Sequence, residues 1–157
     1  MSKTIFVKAA EENNISVVNE YVSNNKHIEG FEYILALESA VENGRVEIVK
    51  TILNYPYISP NEADNYIFRY SCKFGHTKVI KALLNDYRID PSASENRALK
   101  TALHYKYFEV VKLLLKDKRV LKSLSGKCTH NKYIFNILKS QFNTNSLYEI
   151  KKILKFI

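Results

Sequence analysis

Cys72 and His76 stand four residues apart, and Cys128 and His130 stand two apart. Thiolate and imidazole are the side chains that hold zinc, and a closed structural site needs four such ligands in a tetrahedron. Each pair offers two. An expected turn at Gly75 separates Cys72 from His76, and Cys128 with His130 falls in an irregular loop. Cys72 is therefore expected to pack between helices, and His76 to cap a helix or form a hydrogen bond at its turn. No metal and no cofactor is expected. A cysteine nucleophile would need a base brought to it in space, which spacing alone does not supply. Glu11 and Glu12 are adjacent on a helix, so they face different ways and read as solvated charge. "SGKCT" (Ser125–Thr129) has the Gly-Lys of a phosphate loop, but Cys128 stands where the hydroxyl is required and no strand precedes it. The expectation is that the chain is not an enzyme.

A second chemistry is anion binding. Lys50, Lys81 and Lys112 recur every 31 residues, and Lys151 aligns with them. "KDKRVLK" (Lys116–Lys122), expected as a loop, adds further positive charge. Residues 1–64 hold 5 Lys/Arg and 10 Asp/Glu, a net of −5, whereas residues 65–157 hold 19 and 6, a net of +13. A basic half can attract nucleic acid or an anionic membrane surface. Tyr105, Tyr107 and Tyr133 lie nearby for base stacking. The simpler reading is that these lysines solubilise an outer helix face.

The elements behind these residues follow from periodicity. The 157 residues are 46% hydrophobic and 25% charged, with only 4 Gly and 3 Pro, which favours a folded helical chain over a disordered one. No apolar run approaches a membrane span, and the opening "MSKTIFVKAAEENN" is not a secretory leader. Two cysteines in unrelated contexts suit a reduced intracellular compartment. "NGRVEIVKTIL" (Asn43–Leu53), "FGHTKVIKALL" (Phe74–Leu84) and "YKYFEVVKLLL" (Tyr105–Leu115) repeat one pattern. Val17-Val18, Ile48-Val49, Val79-Ile80 and Val110-Val111 step by 31, and so do Tyr21-Val22, Ile52-Leu53, Leu83-Leu84 and Leu114-Leu115. Apolar residues at i, i+1, i+4 and i+5 make one stripe of a helix. Second helices are expected near 15–24, 46–55, 77–86 and 108–117.

A first helix precedes each. Phe6, Leu37, Phe68 and Leu99 are its apolar anchors, and Ala9, Ala40, Ser71 and Ala102 its small contact residues. The turn between the helices falls at Asn13, Gly44, Gly75 and Lys106, where a left-handed residue is expected. Loops "ISPNEADN" and "IDPSASEN" match, with Pro60 and Pro91 ending helices and Asn65 and Asn96 expected to cap the next.

This pattern resembles the ankyrin-repeat family, on the three second-helix segments above and on the pair Gly75-His76. Its divergent "DPS" loops are similar to ankyrin arrays of amoebae and large DNA viruses. The resemblance implies an all-α solenoid of about five helix-turn-helix repeats with a period of 31. It implies a single domain over 1–157, with units near 1–32, 33–63, 64–94, 95–125 and 126–157. The last unit is an irregular cap, with Tyr133, Ile134, Ile137 and Leu138 in its first helix and Ile150, Ile153 and Leu154 in its second. The family's Thr-Pro-Leu-His opening is replaced by "TIFV", "LALE", "YIFR" and "RALK", which implies that the usual loop-to-helix link is lost and the loops are looser.

The resemblance also implies function. A protein partner would bind the concave face, made of loop tips and exposed first-helix positions. The tips are Glu32-Tyr33, Ala63-Asp64 and Ser94-Glu95; the first-helix positions are Glu38, Arg69 and Lys100; the pre-turn positions are Glu42-Asn43, Lys73-Phe74 and His104-Tyr105. Phe74 and Tyr105 are the expected aromatic anchors. A non-catalytic, monomeric, cytoplasmic scaffold is the leading expectation, with nucleic acid or anionic membrane binding by the basic half as the alternative.

Overall fold

The first two helices start at capping side chains: Thr4 Oγ1 accepts from Val7 N and Asn14 Oδ1 from Val17 N. The computed structural model describes residues 4–24, 30–55 and 57–125, together with the isolated positions 136 and 140. Among the described residues the chain forms nine helices and no strand: α1 (Ile5–Glu11), α2 (Ile15–Ser23), α3 (Gly30–Glu42), α4 (Val46–Leu53), α5 (Glu62–Ser71), α6 (Thr77–Leu84), α7 (Ala93–His104), α8 (Phe108–Lys116) and α9 (Lys118–Ser125). The expected all-α class holds. The four second helices begin at residues 15, 46, 77 and 108 as expected, and end one or two residues early. Apart from positions 136 and 140, the fifth unit lies outside the described residues, Cys128, His130, Tyr133 and Lys151 included.

The chain divides into two compact units, Met1–Asp90 and Pro91–Ile157. In the first, α1 packs on α3 and α3 on α5, while α2 packs on α4 and α4 on α6. First and second helices thus form two layers. In the second, α7, α8 and α9 pack on one another.

The stripes bury as their spacing requires. Ile48, Val49, Ile52, Val79, Ile80, Leu83, Val110, Val111 and Leu114 are all fully buried, as are the first-helix anchors Phe68 and Leu99. Each such side chain contributes about 1.5–3 kcal/mol of transfer free energy. In α2 the deeply buried member of the first pair is Val18, and Val17 is half-buried. Ser71 takes the small-residue place inside the core because its Oγ donates to Phe68 O at 2.7 Å, so no polar group is left bare.

All four turns use a left-handed residue: Asn13 at φ 63°, Gly44 at 66°, Gly75 at 71° and Lys106 at 59°. At three of them the next N–H reaches back five residues. Asn14 N donates to Ala9 O, Arg45 N to Ala40 O and Tyr107 N to Ala102 O. This bond occupies a carbonyl that the helix end leaves open.

The loop tips hold two corrections. Asp64-Asn65 and Ser94-Glu95-Asn96 lie within the bounds of α5 and α7, yet their backbone is left-handed. Asn65 and Asn96 therefore do not cap these helices. Asn65 Oδ1 instead accepts from Asp90 N at 2.7 Å, and Asn96 Nδ2 donates to Ser123 Oγ at 2.9 Å. Nor are the loops loose. Arg88 donates to Leu53 O at 2.7 Å and to Ile58 O at 3.1 Å, while Tyr33 donates to Ser59 O at 3.5 Å. Tyr33 and Arg88 thus tie the loop carbonyls down.

"KDKRVLK" is a third correction: it is not a loop, because most of it belongs to α9. Val120 and Leu124 are buried at one face, with Leu121 half-buried beside them. Asp117 Oδ1 accepts the Arg119 N–H at 2.8 Å in the first turn. Apolar spacing of one and four residues makes a helix stripe that the basic residues between had obscured.

Candidate functional site

The first helices carry the residues that packing leaves available. On α3, Glu38 follows the buried Leu37, and on α5 Arg69 follows the buried Phe68. On α7, Lys100 follows the buried Leu99 in the same register. The anchor is spent on the core, while its neighbour is half-buried at the surface.

Arg69 and Lys100 are matched by acids five residues earlier, in the left-handed tips. Arg69 Nη1 lies 3.2 Å from Asp64 Oδ2, and Lys100 Nζ lies 3.6 Å from Glu95 Oε2. Both acids are more than half exposed, so each pair is worth only about 0.2–1 kcal/mol. Their effect is to hold the tips and the helix bases in one arrangement.

Glu38 is held differently. The Tyr66 hydroxyl on α5 donates to Glu38 Oε1 at 2.7 Å. One turn on, the Tyr70 hydroxyl donates to Glu42 Oε1. The Glu38 bond, with burial, pushes the Tyr66 phenol up to about 12. Burial first, and then Glu42, raises that of Tyr70. Both hydroxyls therefore stay protonated donors at neutral pH. The Tyr66 and Tyr70 rings stack with centroids 5.5 Å apart, and Phe74 meets Tyr70 edge-on at 5.1 Å. Lys73 Nζ lies 5.2 Å from the Tyr70 centroid.

Phe74, Lys73 and Glu38, three positions that the register proposes for a partner, thus lie around Tyr66 and Tyr70. Sequence reasoning missed those two tyrosines. Their signal was available: residues 66, 70 and 74 are aromatic at successive steps of four, one helix face. In the second unit, Tyr105 is 46% exposed and meets His104 edge-on at 5.0 Å and Tyr107 in a stack at 5.9 Å.

Tyr33 is a correction. Expected at an exposed tip beside Glu32, it sits in α3 and is only 4% exposed. Burial, followed by the Glu62 carboxylate, pushes its phenol up to about 12. Its ring instead lines a cavity of about 250 Å³ with Leu37, Pro60, Tyr66 and Ile67. Glu32 is half-buried in the first turn of α3.

The residues first weighed for chemistry have structural places. Cys72 is fully buried, and burial pushes its thiol up to about 12, far from a reactive thiolate. His76 Nε2 lies 2.8 Å from Glu42 O; a carbonyl only accepts, so Nε2 carries the proton. Among the described residues, no group of three or more His, Cys, Asp or Glu could hold a metal ion. No helix among them is long and apolar enough to cross a membrane.

The second helices show a different surface. In the first unit a groove of about 910 Å³ is lined by Arg45, Lys50, Lys78 and Lys81 with one acid, Glu47. Lys50 already pairs with Glu47 at 2.9 Å, and Lys112 on α8 pairs with Glu109 at 2.8 Å.

Compared with protein families, residues 37–123 match the model described as ankyrin repeats (3 copies), which spans more than half of the 157 residues. Repeats of this kind generally mediate protein–protein interaction and are typically not catalytic. Neither the search of curated proteins nor that of solved structures found a match.

Proposed function

This chain belongs to the ankyrin-repeat family, and from that premise we propose that it is a non-catalytic scaffold that holds a protein partner on its first helices and loop tips. One observation carries the reading. Glu38, Arg69 and Lys100 share a register but not a charge, while their neighbours Leu37, Phe68 and Leu99 are uniformly buried. A position relieved of packing can be shaped to a partner, and stacked repeats hold it rigid. The remaining positions are Asp64, Lys73 and Phe74 in the first unit, and Glu95, His104 and Tyr105 in the second. Aromatic side chains among them are the natural anchors, with the charged pairs as rim.

Alanine substitution against a partner recovered from the source cell tests this. Phe74→Ala and Tyr105→Ala should weaken the complex more than Lys50→Ala, Lys81→Ala or Lys112→Ala. Dominance of the three lysines would place the working surface on the second helices.

A second reading draws on charge. Residues 91–157 hold 14 Lys/Arg and 4 Asp/Glu, a net of +10, and the first unit has its own cationic groove. Nucleic acid or an anionic membrane surface would suit such a field. The pairing of Lys50 and Lys112 with glutamates makes it the weaker of the two.

A further inference from the structure

The first-helix face of the first unit has a definite chemistry. Glu38 and Glu42 stand one turn apart on α3, each held by a tyrosine hydroxyl from α5. A phenol donates one hydrogen, and a carboxylate can accept about four. Each glutamate therefore keeps acceptor capacity after its tyrosine is satisfied. Beside them lie the stacked rings of Tyr66 and Tyr70. Leu35, 45% exposed, sits one turn before Glu38 and extends the face with apolar surface.

Anionic oxygens at the hydroxyl ends of aromatic rings suit a planar cation. A guanidinium can hydrogen-bond a carboxylate through its fork and stack on an aromatic ring together. The chain itself shows the attraction, since Lys73 already places an ammonium over the Tyr70 ring. An acidic segment would meet two fixed carboxylates. The tyrosine bonds also hold the glutamates in place beforehand, which lowers the ordering cost of binding.

We propose that this face recognises a protein segment through an arginine side chain, whose guanidinium takes the remaining acceptor sites of the Glu38 and Glu42 carboxylates beside the Tyr66–Tyr70 stack. The inference rests on the docking face argued above and names the chemistry of its partner.

A random peptide library displayed on phage and selected on the full chain tests it. Selected peptides should be enriched in arginine over lysine. Binding of one such peptide should fall roughly tenfold or more when its arginine is replaced by citrulline, which keeps the shape and loses the charge. The combined Glu38→Gln and Glu42→Gln variant should show the same loss with an unchanged circular dichroism spectrum. The citrulline peptide needs no altered protein, so it decides the matter even if that variant misfolds. Peptides without arginine enrichment, or binding indifferent to citrulline, overturn the proposal. If such peptides still lose binding on Phe74→Ala, the docking face stands and only the arginine is wrong. If Phe74→Ala and both glutamate changes leave binding intact, the docking face falls as well.

Discussion

The imidazole of His76 closes over Gly44. A Cβ added at Gly44 would lie 3.0 Å from His76 Nδ1, with Cγ and Cε1 both at 3.2 Å. The same ring holds Glu42 O through Nε2 at 2.8 Å. One turn's glycine is thus the seat of the next turn's histidine, 32 residues later, and the contact joins successive repeats of the first unit.

Gly44→Ala should therefore destabilise the chain. A side chain at φ 66° costs about 1–2 kcal/mol, and the methyl must also displace the ring. His76→Ala should cost about 1 kcal/mol through the lost bond alone. Urea unfolding of both variants and of the double variant checks this. Additive losses would mean that glycine and histidine do not share one packing site.

Among the described residues, Lys106 is the one lysine with a left-handed backbone, at φ 59°. It is exposed, so glycine there removes strain without removing packing. Lys106→Gly should stabilise by up to about 1 kcal/mol. A fall in the thermal midpoint would show that the lysine contributes something its backbone strain does not reveal.

Asp86 and Arg88 form a largely buried pair, with Arg88 Nε 2.9 Å from Asp86 Oδ1. The Arg88 hydrogen bond holds the Asp86 carboxyl below the usual carboxylate range. A depressed folded value stabilises above the unfolded pKa of about 3.9, and the gain is lost as pH falls through the folded value. Asp86→Asn should cost about 1–2 kcal/mol at neutral pH. Its deficit should shrink as pH falls from ~4 towards the lower folded value, where wild type loses the same charge. Denaturant titrations at neutral and acid pH measure it, and a deficit that persists unchanged in acid excludes the charge as its cause.

The net of +10 on residues 91–157 should retain the protein on heparin or DNA at low salt. If that is field strength alone, retention disappears near physiological ionic strength, where the screening length is about 8 Å. Survival there, with a preference among sequences, would favour the nucleic-acid reading over a protein partner.

Local periodicity determined much of this molecule. The i, i+1, i+4, i+5 stripes set α2, α4, α6 and α8, and the turn residues set their starts. Even Lys106 was legible as a left-handed residue, because its register with Gly44 and Gly75 required one. Such features depend on neighbours within one or two helical turns. Tertiary packing decided the rest. Tyr33 looks like a tip residue by register, yet its burial depends on the Ser59–Pro60 segment, 26 or more residues away. The bonds from Tyr66 to Glu38 and from Tyr70 to Glu42 join residues 28 apart, and Arg88 reaches carbonyls 30 and 35 residues back. Spacing along a helix says which side chains share a face. It does not say which group on the adjacent helix stands opposite, because that follows from how far and at what angle two helices are packed.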